Sequence, residues 1–131
     1  MLCGGAVSWS SKRQTVVAIS SAEAEFVAAR RCGQEVCFLR FILEHLGFPQ
    51  LYATILFEDN TACQQMSQNP QNATRTKHID LRRMFLKDLS TAKIVRLVHI
   101  NTHDQHADFL TKSLPRPILI YHHRTTCGYT P

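Results

Sequence analysis

Apolar positions in this chain alternate first with period two, then run at helical spacing, then return to alternation. In residues 6–19 (AVSWSSKRQTVVAI), Val7 and Trp9 alternate with polar neighbours and Val16, Val17 and Ile19 follow a turn, so the stretch reads as extended. Ser20 and Glu23 form an S-x-x-E capping box, in which the serine hydroxyl accepts a backbone N–H and the glutamate reaches back. The helix they open is predicted to run to Leu46, with Gly47 suited to the stop and Pro49 beyond it. Residues 51–58 (LYATILFE) read as a buried strand. Asn60 can cap a short helix through Met66, QNPQN (68–72) is a loop, and a second long helix is predicted over Lys77–Ser90. KIVRLVHI (93–100) alternates like a strand, and HDQHADFLTK (103–112) can form a short helix. Beyond Leu114 the chain has prolines at 115 and 117, adjacent histidines and no clear period. Residues 1–115 are therefore read as one domain and 116–131 as a tail without regular structure.

The order is strand, helix, strand, helices, strand, helix, which is an α/β pattern. Its 131 residues suffice for one domain with a modest core, and 44% hydrophobic with 19% charged residues excludes a disordered chain. No apolar run approaches the ~18 to 20 residues that a membrane span requires, so no membrane partner is expected. The first residues, MLCGGAVSWSSKRQ, lack the basic-then-apolar order of a signal peptide. The five cysteines, Cys3, Cys32, Cys37, Cys63 and Cys127, are odd in number and form no C-x-x-C pair. The reading is a reduced, intracellular protein of cytoplasm or nucleus, not secreted. A net charge of +5 suits a polyanionic partner without establishing one.

Three acidic residues stand at informative places. Asp59 ends a strand, where open α/β sheets commonly carry their sites. Asp108 starts the last short helix, and Glu25 lies in the first turns of the first one. Glu23 and Glu25 point about 200° apart on a helix and cannot serve one face. Glu23 belongs to the cap. Glu25 has Ala28 and Ala29 as its i+3 and i+4 neighbours, which lets a helix lie close to a sheet. Spacing alone favours a solvent-facing glutamate supported by the helix dipole, and turn or cap roles are the alternatives for the two aspartates. Arg75, Lys77, Arg82, Arg83 and Lys87 form either a nucleic-acid face or an ordinary solvated helix surface. His103 and His106 have H-x-x-H spacing with His99 nearby, but no complementary Cys or His pair has zinc spacing. His122, His123 and Cys127 read as incidental to the tail.

Several motifs then combine: SWSSKRQ followed by SSAEAEF, DN-x-A at 59–62, RTKHID at 75–80, and DQ-x-AD-x-LTK at 104–112. In this order, over roughly residues 5 to 115, they resemble the ribonuclease H domain of copia-type LTR retrotransposon Pol polyproteins. The resemblance implies a ribonuclease H-like mixed sheet flanked by helices. It implies cleavage of the RNA strand of an RNA–DNA hybrid, with reverse transcriptase and integrase regions as neighbours in the polyprotein. It also implies a carboxylate cluster holding two Mg²⁺ ions, for which hard oxygen ligands are the right type. Carried over residue by residue, Glu25 matches the family's helix glutamate, Asp59 the aspartate ending its fourth strand, and Asp108 the aspartate opening its last helix.

The family's first aspartate, on its first strand, has no counterpart here, and no acidic residue precedes Glu23. The first two strands of the family's 3-2-1-4-5 order are expected to be missing. The metal site is expected to be incomplete, and LYATILFE to present an apolar edge. Two readings follow. One is a ribonuclease H enzyme domain. The other is an inactive retroelement remnant that at most binds nucleic acid.

Overall fold

A computed structural model describes residues 4–15, 17, 18, 20–68 and 77–129, with the backbone alone for residues 66–68 and 77–83. It divides into two compact units, Val16–Ile100 and Met1–Thr15 with Asn101–Pro131. Among the described residues, no helix is long and apolar enough to cross a membrane.

The unit Val16–Ile100 begins with α1, Ser21–His45. Ser20 caps it as the capping box predicts, its Oγ accepting the Glu23 N–H at 3.2 Å. At the other end Gly47 adopts φ 85°. Its N–H bonds to Glu44 O at 3.0 Å and the Phe48 N–H to Leu43 O at 2.8 Å, a Schellman stop that glycine permits without steric cost.

Strand β1 (Thr54–Glu58) and strand β2 (Val95–His99) pair in parallel, with Leu56 opposite Leu97. The ladder continues through Thr54 N–H to Ile94 O at 2.9 Å and Ile100 N–H to Glu58 O at 3.1 Å. The connection between the strands contains α2 (Thr61–Gln68) and α3 (Lys77–Thr91). The α/β pattern is thus met, with a two-stranded parallel sheet among the described residues.

The core forms where α1 and α3 meet the sheet. Val36, Leu56, Leu89, Val95 and Leu97 make one buried cluster, and Phe26, Cys63 and Leu86 a second, under α2. A buried leucine stabilises by roughly 1.5–3 kcal/mol, so the fully enclosed Leu86 is a principal anchor. Gly33 of α1 is buried against α3. A Cβ there would stand 3.0 Å from Leu89 Cδ1 and 3.2 Å from Leu86 Cδ2, so the missing side chain sets how closely the helices approach.

Four expectations need correction. Residues 51–58 do not form a strand buried on both faces. The strand starts at Thr54, buries Leu56 and Glu58, and leaves Ile55 and Phe57 41% and 57% exposed. The described residues of 6–19 hold no strand; Val16 and Ile19 lie outside the described residues. Val7 and Trp9 alternate, but both side chains are exposed and bury no face, and alternation alone does not hold a strand.

The third correction concerns residues 116–131. In the unit Met1–Thr15 with Asn101–Pro131, helix α4 spans Arg116–Cys127. Pro115 is its N-cap and Pro117 falls in its first turn, where a missing N–H costs no helical bond. Gly128, at φ 77°, closes the helix, and Tyr129 N–H reaches Arg124 O at 3.0 Å. The Ala6 N–H donates to Thr126 O at 2.8 Å, tying residues near the start of the chain to the end of α4. In the same unit the short helix expected over 103–112 is two 3-10 turns, Thr102–Asp104 and His106–Leu110, separated by an extended Gln105.

Candidate active site

The site in the unit Val16–Ile100 is built at the carboxyl end of β1. Period two along TILFE puts Glu58 on the same face as Leu56, so its carboxylate turns inward and is 6% exposed. Its Oε1 accepts the Asn60 N–H at 3.0 Å. The side chain of Asn60 in turn caps α2, Oδ1 accepting the N–H groups of Ala62 at 3.0 Å and Cys63 at 3.2 Å. Asp59 is held between these two anchored residues and is half-buried.

The buried Cys63 thiol donates to Glu58. Burial pushes Glu58 above the ordinary carboxylate value and the Asp59 charge adds to this, while the Asn60 N–H and the Cys63 thiol oppose it. Cys63 is pushed far above the ordinary thiol value, first by burial, then by Glu58, and further by the charge of Glu25. A thiol held protonated in this way is a hydrogen-bond donor and not a nucleophile. Its response to Glu25 places that carboxylate, from the first turns of α1, within electrostatic reach of the β1 terminus. Glu25 is itself half-buried beside Phe26, which packs against Cys63 and Leu86.

Asp108 lies in the other unit, in the turn His106–Leu110, and accepts an ion pair from Lys112 Nζ at 2.7 Å. Its side chain is 13% exposed, against 49% for the lysine. His103 is exposed. His106 does not turn to His103 as an H-x-x-H metal pair: its Nδ1 lies 2.9 Å from Nδ1 of the buried His122. Burial and that neighbour lower the His106 pKa, with Asp104 opposing. Of the basic residues, Lys87 is exposed on α3; Lys77, Arg82 and Arg83 fall on the same helix, and Arg75 lies outside the described residues.

Within either unit, the described residues bring no three His, Cys, Asp or Glu side chains together in a group that could hold a metal ion. Taken singly, Glu25 and Asp59 in one unit and Asp108 in the other are half-buried carboxylates, the donor type that a hard divalent cation takes. Glu58 was missed by motif reasoning. Its signal was the strand period, which separates an inward Glu58 from its neighbour Asp59.

Among known proteins, the chain is 37% identical over 113 residues to the retrovirus-related Pol polyprotein from transposon TNT 1-94 of Nicotiana tabacum, covering 86% of this chain. It is 36% identical over 110 residues to the corresponding polyproteins from transposons RE2 and RE1 of Arabidopsis thaliana, covering 84% of this chain in each case. The chain spans 8% of the length of each of these relatives. No family model and no solved structure matches it. The chain is therefore a homologue of a short segment of retrotransposon Pol polyproteins.

Proposed function

We propose that this segment serves removal of RNA from RNA–DNA hybrids, as a ribonuclease H-type part of a copia-type Pol polyprotein, with reverse transcriptase and integrase regions as its neighbours. The observation that carries the reading is Asp59: it follows the buried end of β1 directly, in a turn fixed on both sides by Glu58 and Asn60. The motif order and the similarity to Pol polyproteins support it.

Glu25, Asp59 and Asp108 are the carboxylates that would hold Mg²⁺. When bound, two such ions would generate the attacking hydroxide and stabilise the leaving oxygen. The Glu58–Asn60 bond keeps the Asp59 backbone in one conformation, which lowers the cost of organising ligands. Lys112 neutralises Asp108 across a 2.7 Å ion pair, which a cation bound there would have to displace. The exposed Lys87, with Arg75, Lys77, Arg82 and Arg83, would meet hybrid phosphates through shape and charge rather than sequence.

A second reading is binding without cleavage. It is favoured by the 2.7 Å Lys112–Asp108 pair, which already satisfies one of the three carboxylates. A labelled RNA–DNA hybrid assay separates the two. The chain is placed in the aligned segment of the tobacco polyprotein, with and without Asp59→Asn. Mg²⁺-dependent RNA cleavage that the substitution removes supports the first reading. Hybrid retention without cleavage supports the second.

A further inference from the structure

The adjacent histidines of α4, incidental on sequence reasoning, hold both sides of the turn that carries Asp108. His122 Nδ1 lies 2.9 Å from Nδ1 of His106, two residues before Asp108. The His123 ring meets Phe109, one residue after Asp108, edge-on with centroids 6.5 Å apart at 85°. Consecutive residues of one helix thus reach two residues of the 3-10 turn His106–Leu110.

The period of the turn explains the match. A 3-10 helix has about three residues per turn, so positions 106 and 109 share a face. That is the face α4 meets. Position 108 falls about a third of a turn to its side. There Asp108 is half-buried and pairs with Lys112 at 2.7 Å. The two ring contacts therefore hold the turn without engaging the carboxylate.

The histidine pair is also demanding. With Nδ1 facing Nδ1, one ring must donate its proton and the other must accept on a bare nitrogen. His122 is 2% exposed, so losing His106 would leave a polar nitrogen buried without that bond. The turn has few bonds of its own. Asp108 N–H reaches Gln105 O at 3.1 Å, and the Thr111 and Lys112 N–H groups reach Asp108 O at 3.0 and 2.8 Å. Short segments of this kind open locally unless anchored from outside.

We propose that His122 and His123 are positioning residues: by holding His106 and Phe109 they set where the Asp108 carboxylate stands. Helix α4 thereby places a carboxylate assigned above to Mg²⁺. What Asp108 does once placed rests on the ribonuclease H reading, whereas its placement by α4 does not.

Hydrogen exchange of the full chain, read amide by amide by NMR, tests the placement. His122→Leu should speed exchange at Asp108, Thr111 and Lys112 by about tenfold or more, with Arg124 in α4 and Leu97 in β2 changing by less than about twofold. His122→Asn, whose amide reaches the place of Nδ1, should restore protection. His123→Ala should speed the same amides by about threefold, and His123→Phe, which keeps a ring for Phe109, should not. In the unmodified sequence, scalar coupling between the two Nδ1 nuclei across their hydrogen bond is expected, and this needs no variant to fold. Unchanged exchange at the three amides, acceleration spread evenly to Arg124 and Leu97, or absent coupling would overturn the proposal. In the hybrid assay, His122→Leu should raise the Mg²⁺ concentration for half-maximal cleavage by about tenfold, and His122→Asn should not. Unchanged Mg²⁺ dependence in a parent that cuts would also overturn it. A parent that never cuts removes the ribonuclease H reading alone, and the exchange data still decide whether α4 places Asp108.

Discussion

The carboxylate of Glu58 accepts the backbone N–H of Asn60 at 3.0 Å, two residues further along the chain. This bond closes the turn from β1 into α2 and encloses Asp59. It is made by a buried carboxylate whose pKa lies above its ordinary value of 4.5, chiefly through desolvation. A carboxylate with a raised folded-state pKa contributes stability that is fully present below the unfolded pKa and lost as pH rises through the folded one.

Glu58→Gln keeps an oxygen acceptor for the Asn60 N–H and removes the buried charge. Urea midpoints of both proteins across pH 4 to 8 should therefore diverge, roughly within the range where carboxylates titrate. The variant is expected to gain about 1 kcal/mol over the parent at neutral pH, and the difference should shrink or reverse below the ordinary carboxylate value. A parent that gains stability over the variant as pH rises would show that Glu58 is stabilised as an anion instead.

Arg40 holds the approach to β1. Its Nη1 donates to Tyr52 O at 2.8 Å and Thr54 Oγ1 at 3.0 Å, and its Nη2 to Gln50 O at 2.6 Å. One planar fork thus ties α1 to residues 50–54 just before the strand. Arg40→Ala should cost about 1–3 kcal/mol in chemical denaturation. Arg40→Lys should recover less than half of that, because an ammonium cannot reproduce the fork. Full recovery by lysine would reduce the contact to simple charge.

Lys93 ends α3 at φ 55°, with Lys93 N–H on Ser90 O at 3.0 Å and Ile94 N–H on Leu89 O at 2.9 Å. This repeats the stop made by Gly47 on α1, but with a side chain in the left-handed region. Lys93→Gly is expected to stabilise by roughly 0.5–1 kcal/mol, since relief of the left-handed strain exceeds the entropy glycine loses. A thermal midpoint that falls would place that strain below the entropy term.

Local signals in the sequence were strong where one residue type has one physical use. Ser20 with Glu23, Gly47 and Asn60 set element ends because caps and left-handed stops are decided within a few residues. Alternation in KIVRLVHI gave the buried Val95 and Leu97 for the same reason. The rest depended on contacts distant in sequence. Val7 and Trp9 alternate without burying a face, and LYATILFE is apolar yet buries only alternate positions once α1 and α3 cover one side. Pro115 and Pro117 look like breakers until their place at the start of α4 is known. Lys93 carries no sequence mark of its conformation. In the candidate site, motifs pointed to Glu25, Asp59 and Asp108, whereas the Glu58–Cys63 contact needed the fold.

The most direct test of the functional account is hybrid cleavage by this chain placed in the aligned segment of the tobacco Pol polyprotein, with Asp59→Asn beside it. The account predicts Mg²⁺-dependent loss of the RNA strand, reduced on the order of 100-fold or more by the substitution, with hybrid binding unchanged. Equal cleavage by both proteins, or hybrid bound and never cut, would contradict it.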